Sequence, residues 1–342
     1  MLAAVLKDFN NLVLEEVPKP EPGPGEVLVR IKSCGICATD YKAIKGIRRN
    51  VDFPLTPGHE PAGVVAAVGH FVSNVKEGDE VILSPSGFCG QCRNCRLGLT
   101  HYCERAYSTG GDGAQVRPGS FAEYTLTGSN VVFPKPANLS FDAACQAEPV
   151  SGAWKGLIHY SEMSVGDDVV VIGTGGIGMY CLMVAKAAGA GRLVAVDISD
   201  YVLKTAKELG ATHIVNPTRC DVKAAIAEIM PEGPDLVVEA AGPIQAVKIM
   251  VSLLRRGTRW NIFGITTHEK FELDGGLMHF LEARMDSSFS TNPLAIEKAI
   301  RLMSRGLVNP DKVITHRFPL SEIAKAVETM SSLDRNKVII NP

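Results

Sequence analysis

The chain is short of several things that would have placed it quickly. No stretch reaches the length of a membrane span. The longest apolar run, around Ile177 to Ala190, carries Lys186 and several glycines and is too short to cross a bilayer. The opening Met-Leu-Ala-Ala-Val-Leu-Lys-Asp-Phe-Asn lacks a basic segment followed by an apolar run and a small-residue cleavage site, so no leader is expected. Neither sign of charge dominates: 35 Lys and Arg face 37 Asp and Glu, for a net charge of −2. That balance excludes the basic footprint of a nucleic-acid binder. Repeats and low-complexity tracts are absent as well. What remains is ordinary globular material, 46% apolar and 21% charged, in 342 residues, enough for about two domains. The nine cysteines are odd in number and partly in metal spacing, which fits a reducing cytoplasm better than secretion.

The texture changes near Gly166. Before it, short strand-like runs such as Val27–Ile31 and Ala62–Val68 are punctuated by Pro and Gly, as in Pro20-Glu21-Pro22-Gly23-Pro24-Gly25. After it, strand and helix patterns alternate. Asp168–Ile172 reads as a buried strand, followed by a glycine turn and a helix to about Ala188. Leu193–Val196, His213–Val215, Leu236–Val238 and Trp260–Phe263 continue as strands. Alternation at this spacing implies a parallel sheet covered by helices on both faces. A helix from Leu294 to Ser304, a strand over Val313–Phe318 and a last strand over Lys337–Ile340 complete the chain, the last able to return to the first domain.

Four cysteines crowd one loop: Cys89, Cys92, Cys95 and Cys103, spaced Cys-x2-Cys-x2-Cys-x7-Cys. Short spacers let the backbone wrap one small ion, and four thiolates close a tetrahedral zinc shell. A closed shell has no position for substrate, so this zinc folds a loop and any catalytic metal lies elsewhere. The plain alternative is four free or disulfide-bonded cysteines.

Gly173-Thr174-Gly175-Gly176-Ile177-Gly178 matches G-x-G-x-x-G. The string follows a strand, opens a helix, and is followed 19 residues after Gly178 by Asp197 at the end of the next strand. In that context it is a dinucleotide fingerprint: the glycines admit a tight turn and close approach to the pyrophosphate, and the helix N-terminus offers free N–H groups. Asp197 suits the hydroxyls of an adenosine ribose and repels a 2′-phosphate, while Ile198-Ser199-Asp200 offers no cation. NAD is therefore expected over NADP.

Four further residues are unremarkable taken singly. Cys37 lies in Gly35-Ile36-Cys37-Ala38-Thr39-Asp40, His59 and Glu60 follow a Pro57-Gly58 turn, and Glu148 precedes Pro149. A lone cysteine is usually packing, and a lone His-Glu pair is usually surface or a satisfied core histidine. Together, though, the G-I-C-x-T-D segment, the G-H-E segment, the four-cysteine lobe and the dinucleotide fingerprint occur in an order that resembles the zinc-dependent medium-chain dehydrogenase/reductase family of the alcohol dehydrogenase superfamily. The match runs over nearly the whole chain. Glu148-Pro149 is similar to the sorbitol, polyol and threonine dehydrogenase branch, where alcohol dehydrogenases carry a cysteine.

The resemblance implies a second, catalytic zinc, hence two per chain. Cys37 and His59 would be ligands, Glu148 would bind directly or through water, and Glu60 would be an alternating or neighbouring carboxylate. Asp40 would hold the His59 ring through its free nitrogen, and Thr39 would pass on the alcohol proton. Many relatives have a histidine where this chain has Lys42, which leaves Lys42 or water to complete the relay. One thiolate, one imidazole and one carboxylate leave an open position at which zinc acidifies a bound hydroxyl.

The fold class implied is α/β: a Rossmann doubly wound parallel sheet plus a GroES-like β-rich catalytic domain. The catalytic domain is expected over residues 1–151 and 292–342, with the zinc lobe at about 87–105, and the Rossmann domain over 152–291. The expected reaction is hydride transfer between NAD and a secondary alcohol or its ketone, on a polyol, sugar-derived or amino-alcohol substrate. A primary-alcohol dehydrogenase, a physiological ketone reductase and a non-catalytic NAD-binding structural protein are the alternatives. The protein is expected to be a cytoplasmic homo-oligomer, a dimer or tetramer, with no nucleic-acid or membrane partner. His70, His101, His213, His268 and His279 carry no motif and read as surface or core. Cys145, Cys181 and Cys220 read as packing residues, as do Trp154 and Phe289 in preference to a place in the cleft. Residues 107–119 read as a mobile or solvated loop near the cleft mouth.

Overall fold

The computed structural model describes residues 1–111, 115–264 and 269–342. His268 and the middle of the 107–119 loop lie outside the described residues.

Ten strands precede the change of texture: β1 (Leu2–Asp8), β2 (Asn11–Glu16), β3 (Glu26–Ile36), β4 (Glu60–Val68), β5 (Glu80–Leu83), β6 (Ser86–Gly87), β7 (Tyr107–Thr109), β8 (Val116–Arg117), β9 (Tyr124–Gly128) and β10 (Val132–Pro134). Six follow in the middle of the chain: β11 (Val169–Ile172), β12 (Leu193–Val196), β13 (His213–Val215), β14 (Leu236–Glu239), β15 (Arg259–Ile262) and β16 (Arg284–Ser287). β17 (Ile314–Pro319) and β18 (Lys337–Asn341) close the series.

The middle six form one parallel sheet in the order β13-β12-β11-β14-β15-β16. Val169–Ile172, Leu193–Val196 and Leu236–Glu239 are buried along their whole length. A parallel strand covered on both faces needs such uninterrupted runs. The order reverses between β11 and β14, and at such a switch point the carboxyl ends of the strands open a crevice. Register sharpens this. Ile172 is level with Val196 and Glu239, Glu239 with Ile262, and Ile262 with Ser287. The residues that follow (Gly173, Asp197, Ala240, Phe263 and Ser288) therefore share one edge.

The other large sheet runs β10-β5-β4-β3-β18-β17, with β9 also paired to β3. β18 lies antiparallel to β3 and parallel to β17, so the late strand sits between early and late partners. Its core combines Val27, Val29, Ile31, Val65, Val81, Phe121, Phe318, Val338 and Ile340.

The strands and helices read from periodicity are present to within a few residues, and further elements accompany them. β16, with only Met285 among three polar residues, carries no strand-like run, and Ala147–Trp154 is a helix that continues as wider π turns over Lys155–Tyr160. Two packing expectations fail. Cys220 is exposed, and Phe289 projects from the segment after β16. Trp154 does pack against the core. Among the described residues, no helix is long and apolar enough to cross a membrane.

Candidate active site

The strand ends of the parallel sheet face the start of the helix Ala38–Ile44 and the first residues of β4 and β18 across a cleft of about 480 Å³. Cys37, Thr39, Lys42, Glu60, Glu148, Gly173, Gly175, Asp197, Phe263 and Lys337 all line it.

On one wall, a sulfur of Cys37, a ring nitrogen of His59 and a carboxylate oxygen of Glu60 lie within 4.8 Å of one another. Asp40 organises them. Its Oδ2 accepts the Cys37 N–H at 2.9 Å, and its Oδ1 lies 3.2 Å from both the Gly58 N–H and His59 Nδ1. Nδ1 is thus engaged, and Nε2 is left for a metal. Burial alone would depress the imidazole, but the Asp40 carboxylate and the Cys37 thiol hold its pKa well above the usual range. The Thr39 hydroxyl sits 3.6 Å from Cys37 Sγ. Glu148 lines the same cleft outside the 4.8 Å group. Burial, opposed by the charge of His59 and reinforced by that of Glu60, pushes its carboxyl up to about 7.

Glu60 has a partner that the sequence did not reveal. Lys337, 277 residues away, donates to its Oε1 at 2.6 Å, and both side chains are buried. Burial would lower the ammonium pKa, but Glu60 holds it raised. The pair needs Gly35, because a Cβ there would lie 2.0 Å from Glu60 Oε2 and 2.9 Å from Lys337 Cε. A carboxylate held by a cation and a cluster of thiol, imidazole and carboxylate donors is the donor set of a borderline metal such as zinc.

On the facing wall, Gly173 has φ +82°, and a Cβ there would meet Ala241 at 2.5 Å. A Cβ on Gly178 would lie 1.8 Å from the Gly173 carbonyl oxygen, whereas one on Gly175 would enter open space. Glycine is thus required by packing at the first and last positions, and the middle one leaves room for a ligand's approach. Gly176 and Ile177 also line the cleft, while Thr174 is buried and its hydroxyl has no partner among the described residues. The Asp197 carboxylate accepts N–H bonds from Thr174 at 2.8 Å and Ser199 at 3.0 Å. The side-chain amide of Asn336, which lines the cleft beside Lys337, is buried with neither atom hydrogen-bonded among the described residues. A glycine cradle, an acid at the second strand end and orphaned buried polar atoms fit a dinucleotide. Glu239, also unforeseen, receives the N–H groups of Ala241 and Gly242 at 2.8 and 2.7 Å and bonds the loops after β14 and β15 together. Burial raises the Glu239 carboxyl, opposed first by the N–H bonds from Gly242, Ala241 and Gly264 and then by the charge of Lys42. Arg219 pairs with Asp200, a cation that residues 198–200 alone did not predict.

Away from the cleft, the sulfurs of Cys89, Cys92, Cys95 and Cys103 lie within 4.8 Å of one another. Cys89 Sγ accepts N–H bonds from Gln91 and Cys92 at 3.4 Å, which lower its pKa to about 6. Burial and its sulfur neighbours push Cys95 up to about 12. Four sulfurs this close cannot all ionise without a cation between them, so this cluster also fits a metal. The lobe touches the rest of the molecule through His101, whose Nε2 is 2.7 Å from the Tyr160 hydroxyl.

Two half-sites of this kind facing one another define a metal- and dinucleotide-dependent dehydrogenase. Residues 23–137 match the alcohol dehydrogenase GroES-like domain, and residues 176–305 match the zinc-binding dehydrogenase family. L-threonine 3-dehydrogenase from Bacillus subtilis (strain 168) is 34% identical over 341 residues, covering 96% of this chain and 95% of its own. A solved structure described as a zinc-binding dehydrogenase from Sinorhizobium meliloti 1021, bound to NADP, superposes with a TM-score of 0.92 at 30% identity, covering 100% and 99% of the two chains. That of 2R,3R-butanediol dehydrogenase from Bacillus subtilis gives 0.89 at 26% identity, with the same coverage. The chain belongs to the zinc-dependent medium-chain dehydrogenase/reductase family, on its threonine and polyol side, and is an alcohol-type oxidoreductase acting on secondary alcohols.

Proposed function

We propose that the protein catalyses reversible, NAD-linked oxidation of a secondary alcohol on a polyol, sugar-derived or amino-alcohol substrate. The observation that carries this reading is the grouping of Cys37, His59 and Glu60 within 4.8 Å, opposite the glycine turn in one cleft. In this reading Cys37, His59 and Glu148 hold the catalytic zinc, Glu148 directly or through water, and Glu60 is the exchanging carboxylate held ready by Lys337. Cys89, Cys92, Cys95 and Cys103 hold the structural zinc. When bound, zinc supplies Lewis acidity to the alcohol oxygen and NAD supplies the hydride acceptor.

The protein's own groups do the positioning and move the proton. Asp40 fixes the His59 ring, so that one nitrogen is always presented to the cleft. Thr39 accepts the proton from the substrate hydroxyl and passes it towards Lys42 or solvent. Gly175 admits the pyrophosphate, and Asp197 receives the ribose hydroxyls. The Asp197 carboxylate at the end of β12 supports NAD, while the exposed Arg219 beside Asp200 is a cation that a 2′-phosphate could engage, and a solved relative was bound to NADP.

The partition of strands between the two large sheets supports a catalytic unit of residues 1–151 and 292–342 around a dinucleotide-binding unit of 152–291. The open edge at β16, beside exposed Leu277, Phe280 and Met285, supports pairing with a second copy. Nine free cysteines support a reducing, cytoplasmic setting.

An NAD-coupled screen over polyols, inositols, hydroxy amino acids and hydroxy acids, run with a zinc assay, tests the proposal. Turnover of a secondary alcohol with two zinc per chain is expected. Turnover of primary alcohols alone, or of no alcohol, would end it.

A further inference from the structure

We infer that Ser288 and Ser290 form a hydroxyl wall that recognises the neighbouring hydroxyl of a neutral vicinal diol, making such diols the preferred substrates over amino acids. The inference rests on the alcohol-oxidising reading above and narrows it.

Sheet order sets the polarity of the cleft. Asp197 follows β12, the glycine turn follows β11, Ala240 and Phe263 follow β14 and β15, and Ser288 follows β16. Passing from Asp197 to Ser288 therefore crosses the cleft from the adenosine side to the far end. There the segment after β16 is pinned to the helix that carries Glu148. Ser151 Oγ lies 2.5 Å from Thr291 Oγ1 and donates to the Glu148 carbonyl at 2.6 Å, and Lys155 Nζ donates to the Phe289 carbonyl at 2.5 Å. The hydroxyls of this segment are thus held beside the proposed metal site by contacts independent of any ligand.

Two of its serines line the cleft, and each is unusual. Ser290 has φ +62°, a left-handed conformation that a non-glycine residue keeps only where its surroundings hold it, and such positions cluster at functional sites. Its hydroxyl is 2.8 Å from that of Ser86 on β6. The Ser288 hydroxyl oxygen is buried and has no hydrogen-bond partner among the described residues. A hydroxyl offers one donor and two acceptor positions, so this wall can both give to and receive from a substrate hydroxyl. A carboxylate, by contrast, is best met by a cation. Lys42, Arg335 and Lys337, the cations that line the cleft among the described residues, come from the opposite wall.

The test compares kcat/KM with NAD for 2R,3R-butanediol, 2-butanol and L-threonine in the zinc-loaded enzyme, Ser288→Ala and Ser290→Gly. Glycine tolerates the left-handed backbone, so the second variant removes the hydroxymethyl group without straining the chain. The native enzyme should prefer the diol to both other substrates, and each variant should lower the diol-to-mono-ol ratio by about tenfold, the worth of one such hydrogen bond. Titration of the diol into the enzyme–NADH complex should weaken in step. A native preference for threonine, or an unchanged ratio in both variants, overturns the wall while leaving alcohol oxidation in place. Failure to oxidise the diol overturns the wall, and only failure of every secondary alcohol in the wider screen removes the parent reading.

Discussion

The two sulfur-bearing clusters are assembled in opposite ways. The lobe cluster takes all four thiols from residues 89–103, and the turns that present them are stabilised by bonds from the same segment to its own sulfurs. The cleft cluster takes its groups from the ends of β3 and the 57–60 turn, is aligned by Asp40, and has its carboxylate held by a lysine from β18. A local cluster can form wherever its loop forms. A dispersed one exists only when the sheet that joins β3, β4 and β18 is complete. The first should therefore report on folding, and the second on chemistry.

The most direct way to break this comparison is Cys37→Ser. It should lose one of two zinc ions and nearly all turnover, while circular dichroism and the melting temperature change little. Equal loss of fold and activity would show that the clusters are not distinct. Thr39→Ala should keep both zinc ions but slow hydride transfer by roughly 10²–10⁴, the range of a positioned proton-transfer group. That deficit should shrink as pH rises, because solvent hydroxide can then take the alcohol proton. A pH-independent deficit would count against Thr39 as the carrier. Asp40→Asn should weaken zinc at the cleft by about 10–100-fold, as for other groups that orient a ligating histidine, with the lobe zinc unaffected.

On the other side of the comparison, Cys95→Ser should lose the lobe zinc and lower the melting temperature, because a closed thiolate site contributes to folding. Residual activity per folded molecule should persist. The smallest effect concerns His101. Burial depresses its pKa to about 4, below the unfolded value near 6.5. Its neutral form therefore stabilises the fold above pH 6.5, and that contribution is lost as pH falls towards 4. His101→Phe should flatten this part of the stability–pH curve measured by thermal melting.

The same contrast explains what was legible before any coordinates. The four cysteines, and Gly173 through Gly178 with Asp197, are local patterns whose spacing carries their meaning. Buried strands such as Val169–Ile172 announce themselves by composition. β16 does not, because Arg284-Met285-Asp286-Ser287 looks like a solvated loop, and it is a strand only because β15 offers it a parallel edge. Lys337 and Glu239 were invisible for a related reason. Each acts through a group that sequence separation hides: a carboxylate 277 residues away, or the backbone of two loops. Cys37, His59 and Glu148 became candidates through family resemblance, since none is distinctive alone.

The placement of β18 between β3 and β17 has a consequence for how the molecule comes into being. Translation delivers β3 and Glu60 early, then all six strands of the parallel sheet, and Lys337 only afterwards. Glu60 must wait for its counter-charge until nearly everything else has been made. The cleft cluster is thus among the last features to mature on the nascent chain, whereas the cysteine lobe can capture its ion while synthesis is still under way. Chains arrested before residue 337 should hold metal in the lobe and lack a competent cleft.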